Sequence, residues 1–196
     1  MKHRSWRIAI AHHTGTIRLT ALAALAASLV VWHSFGPAIG AGSHATGDIV
    51  GYPRIIDGDT IDMAGIRIRL DGIDAPEFAQ TCMVEDRSYR CGERATVALA
   101  QLVQGKLVRC EPRGLDRYRR TLARCRIADS NTDINAWLVR EGLAVAYRHY
   151  SYSYLPEEVL ARVAGRGLWA GNFQMPWDYR ADTRQNAHYR PQNRSF

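Results

Sequence analysis

Six carboxylates lie within one short stretch of the chain, residues 55–77, and five of them lie towards its two ends. These five are Asp57, Asp59, Asp71, Asp74 and Glu77. Apolar residues alternate on both sides of Ala64-Gly65, a pattern that predicts two short strands joined by a tight turn. Such a hairpin gathers like charges, which repel one another unless a cation or arginines compensate them. A hard divalent cation is the obvious candidate, because carboxylate oxygens are its preferred ligands.

Arginines lie in the same stretch. Arg67 and Arg69 occupy alternate positions of the second predicted strand, whose apolar residues take the opposite face. Only two of the chain's 26 basic residues are lysines. Nearly all of its positive charge is therefore guanidinium, a planar group that can donate two parallel hydrogen bonds to a phosphate.

The 196-residue chain begins with a segment that has the order of a targeting signal. Residues 1–18 are basic and contain no acid, Leu19 to Trp32 is almost wholly apolar, and Gly36 to Ser43 is small and flexible. We therefore predict that residues 1–43 are a signal peptide. An uncleaved membrane anchor is the alternative, although the apolar run is shorter than the roughly 20 residues that span a bilayer.

The rest of the chain has the length of one folded domain, which we place at residues 44–178. The formal net charge of the whole chain is +7, and four of the basic residues precede residue 44. The remainder carries 22 basic against 19 acidic residues and is therefore only mildly basic. Beyond Trp177 the chain is polar and has almost no apolar residues, so residues 179–196 are predicted to be a disordered tail.

Four cysteines follow the predicted export signal, at Cys82, Cys91, Cys110 and Cys125. No two of them form a C-x-x-C pair, so the sequence favours disulfides over a zinc site. Four cysteines allow three pairings. The local pairing, Cys82 with Cys91 and Cys110 with Cys125, is favoured because each pair brackets a short loop.

Apolar residues at helical spacing predict three helices after the carboxylate stretch. Asp133 caps the second of these helices, and Pro156 opens the third. Two strands on either side of residues 114–120 predict a second hairpin, with its tip near Arg117 and Tyr118. Short strands interspersed with helices indicate an α+β domain and favour a closed barrel over a large open sheet.

Four motifs follow one another along the chain. They are D-G-D-T at Asp57 to Thr60, R-x-x-x-x-D-x-P-E at Arg69 to Glu77, D-x-Y-x-R at Asp116 to Arg120, and L-V-R-E-G-L-A-x-A-Y at Leu138 to Tyr147. Through them the chain resembles the staphylococcal nuclease (thermonuclease) family over most of residues 48–178. The later segment Gly165 to Ala170 resembles exported bacterial members of that family.

The resemblance implies a fold, an activity and a cofactor. The fold is a five-stranded OB-fold β-barrel with three helices, within the α+β class. The activity is calcium-dependent hydrolysis of phosphodiester bonds in DNA and RNA, with single-stranded or locally melted substrate favoured. The protein is expected to act as a monomer.

The resemblance also implies which residues bind the metal and activate water. Asp59 and Asp74 would bind calcium, helped by the backbone carbonyl of Ala75. Calcium accepts such a set of hard oxygen ligands, completed by waters. Glu77 would act as a general base or orient the attacking water.

Further site residues are implied on the substrate side. Arg69 and Arg120 would clamp the phosphate, whose equatorial oxygens gain negative charge as water attacks. Arg117, Tyr118 and Tyr147 match positions around the bound nucleotide.

The chain departs from the family pattern at some positions. Arg119 replaces the glycine that commonly precedes the second arginine, so the turn is expected to differ and Arg119 competes with Arg120 for the phosphate. We favour Arg120. His149 replaces a family tyrosine, and Asp57 and Asp71 are interpreted as turn-forming or supporting groups, not as ligands.

Two classes of function follow from these residues. The first is an exported nuclease, periplasmic or secreted, with a tether to the inner membrane facing the periplasm as the alternative. The second is a catalytically weak module that binds nucleic acid or protein on the same barrel. The nuclease is favoured because its five charged residues are all present: Asp59, Arg69, Asp74, Glu77 and Arg120.

Overall fold

A computed structural model of the protein describes residues 47–149 and 151–189. The predicted leader, residues 1–43, lies outside the described residues, as do residues 190–196. Within the described ranges, each helix is too short or too polar to cross a bilayer.

The described chain combines strands and helices, which confirms the α+β class. The strands are β1 (Ile49–Gly51), β2 (Arg54–Ile55), β3 (Thr60–Met63), β4 (Ile66–Leu70), β5 (Ile73–Asp74), β6 (Cys82–Val84), β7 (Arg87–Tyr89), β8 (Val108–Leu115), β9 (Thr121–Ile127) and β10 (Val145–Ala146). The helices are α1 (Cys91–Val103), α2 (Ile134–Arg140), α3 (Leu155–Val163) and α4 (Pro176–Tyr189), with a short 3-10 helix at Gly167–Ala170.

The main sheet is open in its hydrogen bonding. Its strand order is β1-β8-β9-β4-β3-β2, so the two edge strands are consecutive in the chain. Pro53, which has no backbone N–H, lies between them and interrupts what would be one longer strand. Among the described residues, the expected five-stranded closed barrel with three helices is thus corrected to an open six-stranded sheet with four α-helices.

The predicted carboxylate hairpin is confirmed as β3 and β4. Ala64 and Gly65 both have positive φ, 53° and 84°, as a tight hairpin turn requires. The register pairs Thr60 with Arg69. Asp59, one residue before β3, is thereby placed beside Arg69.

Helix α1 packs closely behind the loop that carries Glu77. Ala95 and Leu99 on its inner face are fully buried in the core. A Cβ at Gly92 would overlap the backbone carbonyl of Glu77, so only glycine allows the first turn of α1 to approach this loop. Glycine at this helix end therefore positions a candidate catalytic residue.

A buried asparagine joins the carboxylate stretch to the second hairpin, β8 and β9. Asn135 of α2 is fully buried, and its Nδ2 donates to the backbone carbonyls of Asp71 and Ala123 at 2.9 and 3.3 Å. Its Oδ1 accepts from the backbone N–H of Cys125. The two halves of the candidate site are consequently held at a fixed spacing.

Both disulfides have the predicted local pairing, Cys82–Cys91 and Cys110–Cys125. The second lies within the β8–β9 ladder, where the two residues face each other in register. The first joins β6 to the start of α1. Each disulfide fixes a segment that leads into the candidate site.

We predict that replacing both Cys110 and Cys125 by Ala lowers the free energy of unfolding by about 3 kcal/mol, because the unfolded chain loses a cross-link over 15 residues. Urea denaturation of the purified variant measures this change. Wild-type protein unfolded with reductant is the matched control and should lose at least as much stability. An unchanged urea midpoint would show that this cross-link contributes nothing.

The structure describes a helix where the sequence predicts the start of a disordered tail. Helix α4 runs from Pro176 to Tyr189 and is mostly polar. Its Trp177 packs against a small buried cluster that includes Val145 and Leu168. The composition of this segment gives little indication of the Trp177 contact. It gives no indication of the charge pairs that α4 forms, which are described below.

Candidate active site

A cavity of about 1020 Å³ brings most of the predicted site residues together. Among the described residues, its lining includes Asp59, Arg69, Ala75, Glu77, Arg117, Tyr118, Arg120 and Tyr147. The two hairpins and the segment that follows β10 thus face one space. Arg180 and Arg184 of α4 line the same cavity, and neither was a predicted site residue.

Arg69 forms the centre of the carboxylate cluster. Its Nη1 donates to Oδ1 of Asp59 and its Nη2 to Oδ1 of Asp74, both at 2.7 Å. Asp59 and Asp74 are almost fully buried, at 3% and 0% exposure. One guanidinium therefore bridges the two predicted metal ligands, and Arg69 is engaged with carboxylates in this structure.

Asp59 is held on several sides. Its Oδ2 accepts from the backbone N–H of Ala75 at 2.9 Å, and its Oδ1 also accepts from the Thr60 hydroxyl at 3.1 Å. Asp57 accepts from the backbone N–H of Asp59 at 3.1 Å. That contact forms a local turn, the role the sequence assigns to Asp57.

Burial makes carboxylates of this cluster costly to ionise despite the arginines beside them. Burial, followed by the charge of Asp59, raises the pKa of Asp57 to about 6. Burial also raises the pKa of Asp74, against the opposing hydrogen bond from Arg180. Ionised carboxylates are costly to bury, so an added cation at this cluster is electrostatically favourable.

The donor atoms fit a hard cation, although they do not form a closed cage. Two buried carboxylates lie on either side of one guanidinium, and Ala75 is next to the second of them in sequence. Within the part of the chain that the structure describes, no three His, Cys, Asp or Glu side chains converge on a common point. A cation here would complete its coordination with water, as hard divalent ions commonly do.

Glu77 is positioned by a buried glutamine and an arginine. Its backbone N–H donates to Oε1 of Gln80 at 3.2 Å, while its carbonyl accepts from the backbone N–H of Gln80 at 2.7 Å. Its carboxylate Oε1 accepts from Arg180 at 3.0 Å. The Glu77 side chain is 42% exposed, so the carboxylate is accessible to water from the cavity.

The second hairpin presents Arg120 through a tight turn. Asp116 accepts from Nε of Arg120 at 2.6 Å and from the backbone N–H groups of Tyr118 and Arg120 at 2.8 and 2.9 Å. Burial alone would raise the pKa of Asp116, but these hydrogen bonds hold it below its usual value. Asp116 thereby fixes the direction of the Arg120 side chain.

Arg119 adopts the backbone conformation that glycine favours. Its φ is 63°, so the turn keeps a left-handed residue at the position where the family commonly has glycine. The Arg119 side chain is exposed, whereas Arg120 is half-buried against Asp116. This placement supports the preference for Arg120 over Arg119.

Aromatic side chains line the cavity at two places. Tyr118 is 64% exposed, and the guanidiniums of Arg117 and Arg120 lie 4.8 and 5.6 Å from its ring centroid. The Tyr147 ring lies 5.6 Å from that of Trp177. Both predicted tyrosines therefore border the same space as the charged residues.

Three functional candidates in the site were missed by reasoning from sequence: Arg180, Arg184 and Gln80. Arg180 and Arg184 are one helical turn apart in α4, a spacing that would have placed them on one face had a helix been predicted there. Gln80 carries no sequence signal, because a single glutamine in a polar loop is ordinarily exposed.

The chain is similar in sequence to a known protein family and to several known proteins. The family model described as staphylococcal nuclease homologue matches residues 67–171. The chain is 36% identical over 158 residues to the succinoglycan biosynthesis protein ExoI of Rhizobium meliloti, covering 79% of this chain and 78% of the relative. It is 38% identical over 181 residues to a micrococcal nuclease of Shigella flexneri, covering 83% and 93%. An uncharacterized endonuclease of Haemophilus influenzae is 38% identical over 126 residues, covering 61% and 65%.

Proposed function

This chain belongs to the staphylococcal nuclease homologue family and is a nuclease, and we propose that it hydrolyses phosphodiester bonds of DNA and RNA with calcium as its cation. The observation that carries this proposal is the cavity that gathers Asp59, Arg69, Glu77 and Arg120, with Asp74 bonded to Arg69. Nuclease relatives act on nucleic acid, so the substrate is a polymer of phosphodiesters.

Asp59, Asp74 and the carbonyl of Ala75 would hold the cation. When bound, it supplies Lewis-acid stabilisation of the charge that develops on the phosphate. The side chains of Asp59 and Asp74 are already oriented by Arg69 and by the Ala75 N–H, so little side-chain entropy remains to be lost.

Glu77 takes a proton from the attacking water. Its carboxylate is open to the cavity, while its backbone is fixed by Gln80. A carboxylate held in this way can orient a water and accept its proton as the new P–O bond forms. A fixed backbone with an accessible side chain is the arrangement this role requires.

Arg69 and Arg120 hold the phosphate from the two hairpins. Asp116 fixes Arg120 through Nε, and we assign the two terminal nitrogens of Arg120 to phosphate oxygens. Arg69 shares its charge between Asp59 and Asp74 and contributes positive potential at the same oxygens. Tyr118, Arg117 and Tyr147 contact the nucleotide next to the scissile phosphate.

We predict that activity on single-stranded DNA and RNA requires calcium and is lost when EGTA removes it. The physical reason is that the carboxylate cluster and the substrate phosphate are both anionic, so they repel one another unless a cation lies between them. The measurement is cleavage of labelled single- and double-stranded substrates in calcium, in magnesium and in EGTA.

Cleavage should be fastest with calcium on single-stranded or locally melted substrate. Cleavage that persists undiminished in EGTA, or that requires magnesium instead, would contradict the calcium assignment. Binding of substrate without turnover in every condition would contradict the nuclease proposal itself and favour a binding module.

We further propose that residues 1–43 direct export, with the folded domain periplasmic or secreted. The two disulfides support this location, because such bonds persist in oxidising compartments. Sequencing the N-terminus of the mature protein distinguishes a cleaved signal from an inner-membrane tether: a cleaved protein begins near residue 41 or 44, whereas a tethered one retains the leader.

A further inference from the structure

The C-terminal segment, residues 174–189, reaches into the carboxylate cluster. It begins after the region that the family model matches, which ends at residue 171. Its Arg180 donates from Nη1 to Oδ1 of Asp74 at 3.0 Å and from Nη2 to Oδ2 of Asp74 at 2.8 Å. The same Nη1 lies 3.0 Å from Oε1 of Glu77. One guanidinium thus joins a predicted metal ligand to the predicted base.

The contact between Arg180 and Asp74 has the geometry of a strong ion pair. Two parallel hydrogen bonds from a guanidinium to one carboxylate are short, directional and charge-assisted. Asp74 is fully buried, and Arg180 is 27% exposed at the cavity wall. The pair is shielded from salt and solvent far better than a surface ion pair.

A second connection fixes the backbone beside the Glu77 carboxylate. The Nε2 of Gln80 donates to the carbonyl of Gln174 at 2.7 Å, while its Oε1 accepts from the N–H of Glu77. Gln174 in turn donates from Nε2 to Asp182 of α4 at 2.6 Å. Gln80 is fully buried, so its amide is committed to these two partners.

The C-terminal segment is also anchored by packing. Trp177 lies against the small buried cluster that contains the Cys82–Cys91 disulfide, and its ring contacts that of Tyr147. Arg180 lies one turn further along α4. The guanidinium is therefore delivered to the cluster from a helix that is itself held in place.

From these contacts we propose that Arg180 is a positioning residue of the nuclease site, which holds Asp74 and Glu77 in their working orientation at the expense of cation affinity. This role rests on the proposed nuclease function. The fork of the guanidinium orients both carboxylates, and its charge lies beside the oxygens that would hold the cation. Orientation and charge therefore act in opposite directions on catalysis and on cation binding.

Two substitutions separate these contributions. Arg180→Ala removes both the fork and the charge. It should tighten calcium binding about 10-fold, because a positive charge beside the cation disappears, and lower kcat by about 10- to 100-fold, because Glu77 loses its partner. Arg180→Lys keeps the charge without the fork, so calcium affinity should stay within about 3-fold of wild type while kcat still falls.

Calorimetric titration with calcium, without substrate, measures the first effect, and cleavage kinetics measure the second. Hydrogen exchange at the amides of Glu77 and Gln80 provides a third readout that needs neither metal nor substrate, and exchange should quicken in both variants. Arg109→Ala is the matched control: this arginine is exposed and pairs with Asp48. It should change none of the three.

The opposite pattern would overturn this role. If Arg180→Ala weakens calcium binding, lowers kcat and also lowers the urea midpoint of unfolding, Arg180 only supports the fold. If calcium affinity, kcat and amide exchange all match wild type, it has no part in the site. A wild-type protein that binds calcium but cleaves no substrate would refute the proposed function. Calcium affinity and amide exchange in the variants would still test whether Arg180 orients Asp74 and Glu77 and whether its charge weakens cation binding.

Discussion

Glu77→Gln is expected to lower kcat by about 10²- to 10⁴-fold, because it removes the carboxylate that accepts the proton of the attacking water. The substitution is nearly isosteric. The amide oxygen of glutamine can still accept from Arg180, and the backbone bonds to Gln80 do not involve the side chain. The loss should therefore appear in kcat and leave folding unchanged.

Cleavage kinetics with a labelled single-stranded substrate measure this effect under saturating calcium. Calcium affinity, measured without substrate, should change little, since Glu77 is not among the proposed ligands. Glu93→Gln is the matched control, because Glu93 is a partly exposed glutamate in the first turn of α1 that pairs with Arg90. Full activity of Glu77→Gln would remove Glu77 from the mechanism.

Arg69→Ala is expected to lower the free energy of unfolding by about 3–5 kcal/mol and to abolish measurable cleavage. Removing one partner of a buried ion pair leaves the other charge without compensation. Here buried Asp59 loses its guanidinium partner, while buried Asp74 keeps only its pair with Arg180. The loss of activity follows because the guanidinium that bridges the two proposed metal ligands, and that contributes to the phosphate clamp, is removed.

Urea denaturation in the absence of metal measures the loss of stability. Arg67→Ala is the matched control for stability, since Arg67 lies two residues earlier on the same strand with its side chain exposed. It should change the free energy of unfolding by less than about 0.5 kcal/mol. If the two variants are equally stable, the bridge between Asp59 and Asp74 is not a stabilising interaction.

The two predictions test different roles within one cluster. Glu77 is accessible and acts on water, so its replacement changes rate without changing stability. Arg69 is half-buried between two carboxylates, so its replacement changes both. The resemblance to the family assigns Arg69 to the phosphate. Its contacts in this structure add a second role, which is to compensate the charges of the two buried carboxylates, Asp59 and Asp74, in the folded protein.

The carboxylate hairpin was predictable because its determinants are local. Alternation of apolar residues sets the strands, and a two-residue turn with positive φ at Ala64 and Gly65 sets the register. Register then places Asp59 beside Arg69 with no further information. Both disulfides were predictable for a similar reason, since short loops favour local pairing.

The prediction of a closed barrel was wrong, because the periodicity of apolar residues does not show which strands pair with each other. The interruption at Pro53 separates β1 from β2, and the two short strands become opposite edges of one sheet. A proline is visible in the sequence, but which strands it separates depends on their partners. Those partners, β8 and β3, are distant from each other in the chain.

The helix α4 could not be predicted from its own residues. It has little apolar character, and composition alone is typical of a disordered segment. It is held by the packing of Trp177 and by a contact with Asp74, which lies about 100 positions earlier in the chain, while Gln80 binds Gln174 just before the helix. A charge pair formed over such a separation leaves no pattern in the neighbourhood of either partner.

The chemistry of this site follows from the amino-acid sequence, which shows the carboxylates and arginines that are present and the hairpins in which they lie. How those charges are neutralised depends on the folded chain, which places Arg69 between Asp59 and Asp74 and Arg180 between Asp74 and Glu77. The physical reason is that local backbone preferences act over a few residues, whereas the pairing of buried charges depends on which segments the fold brings together. The role of Arg180 belongs wholly to this second kind of information.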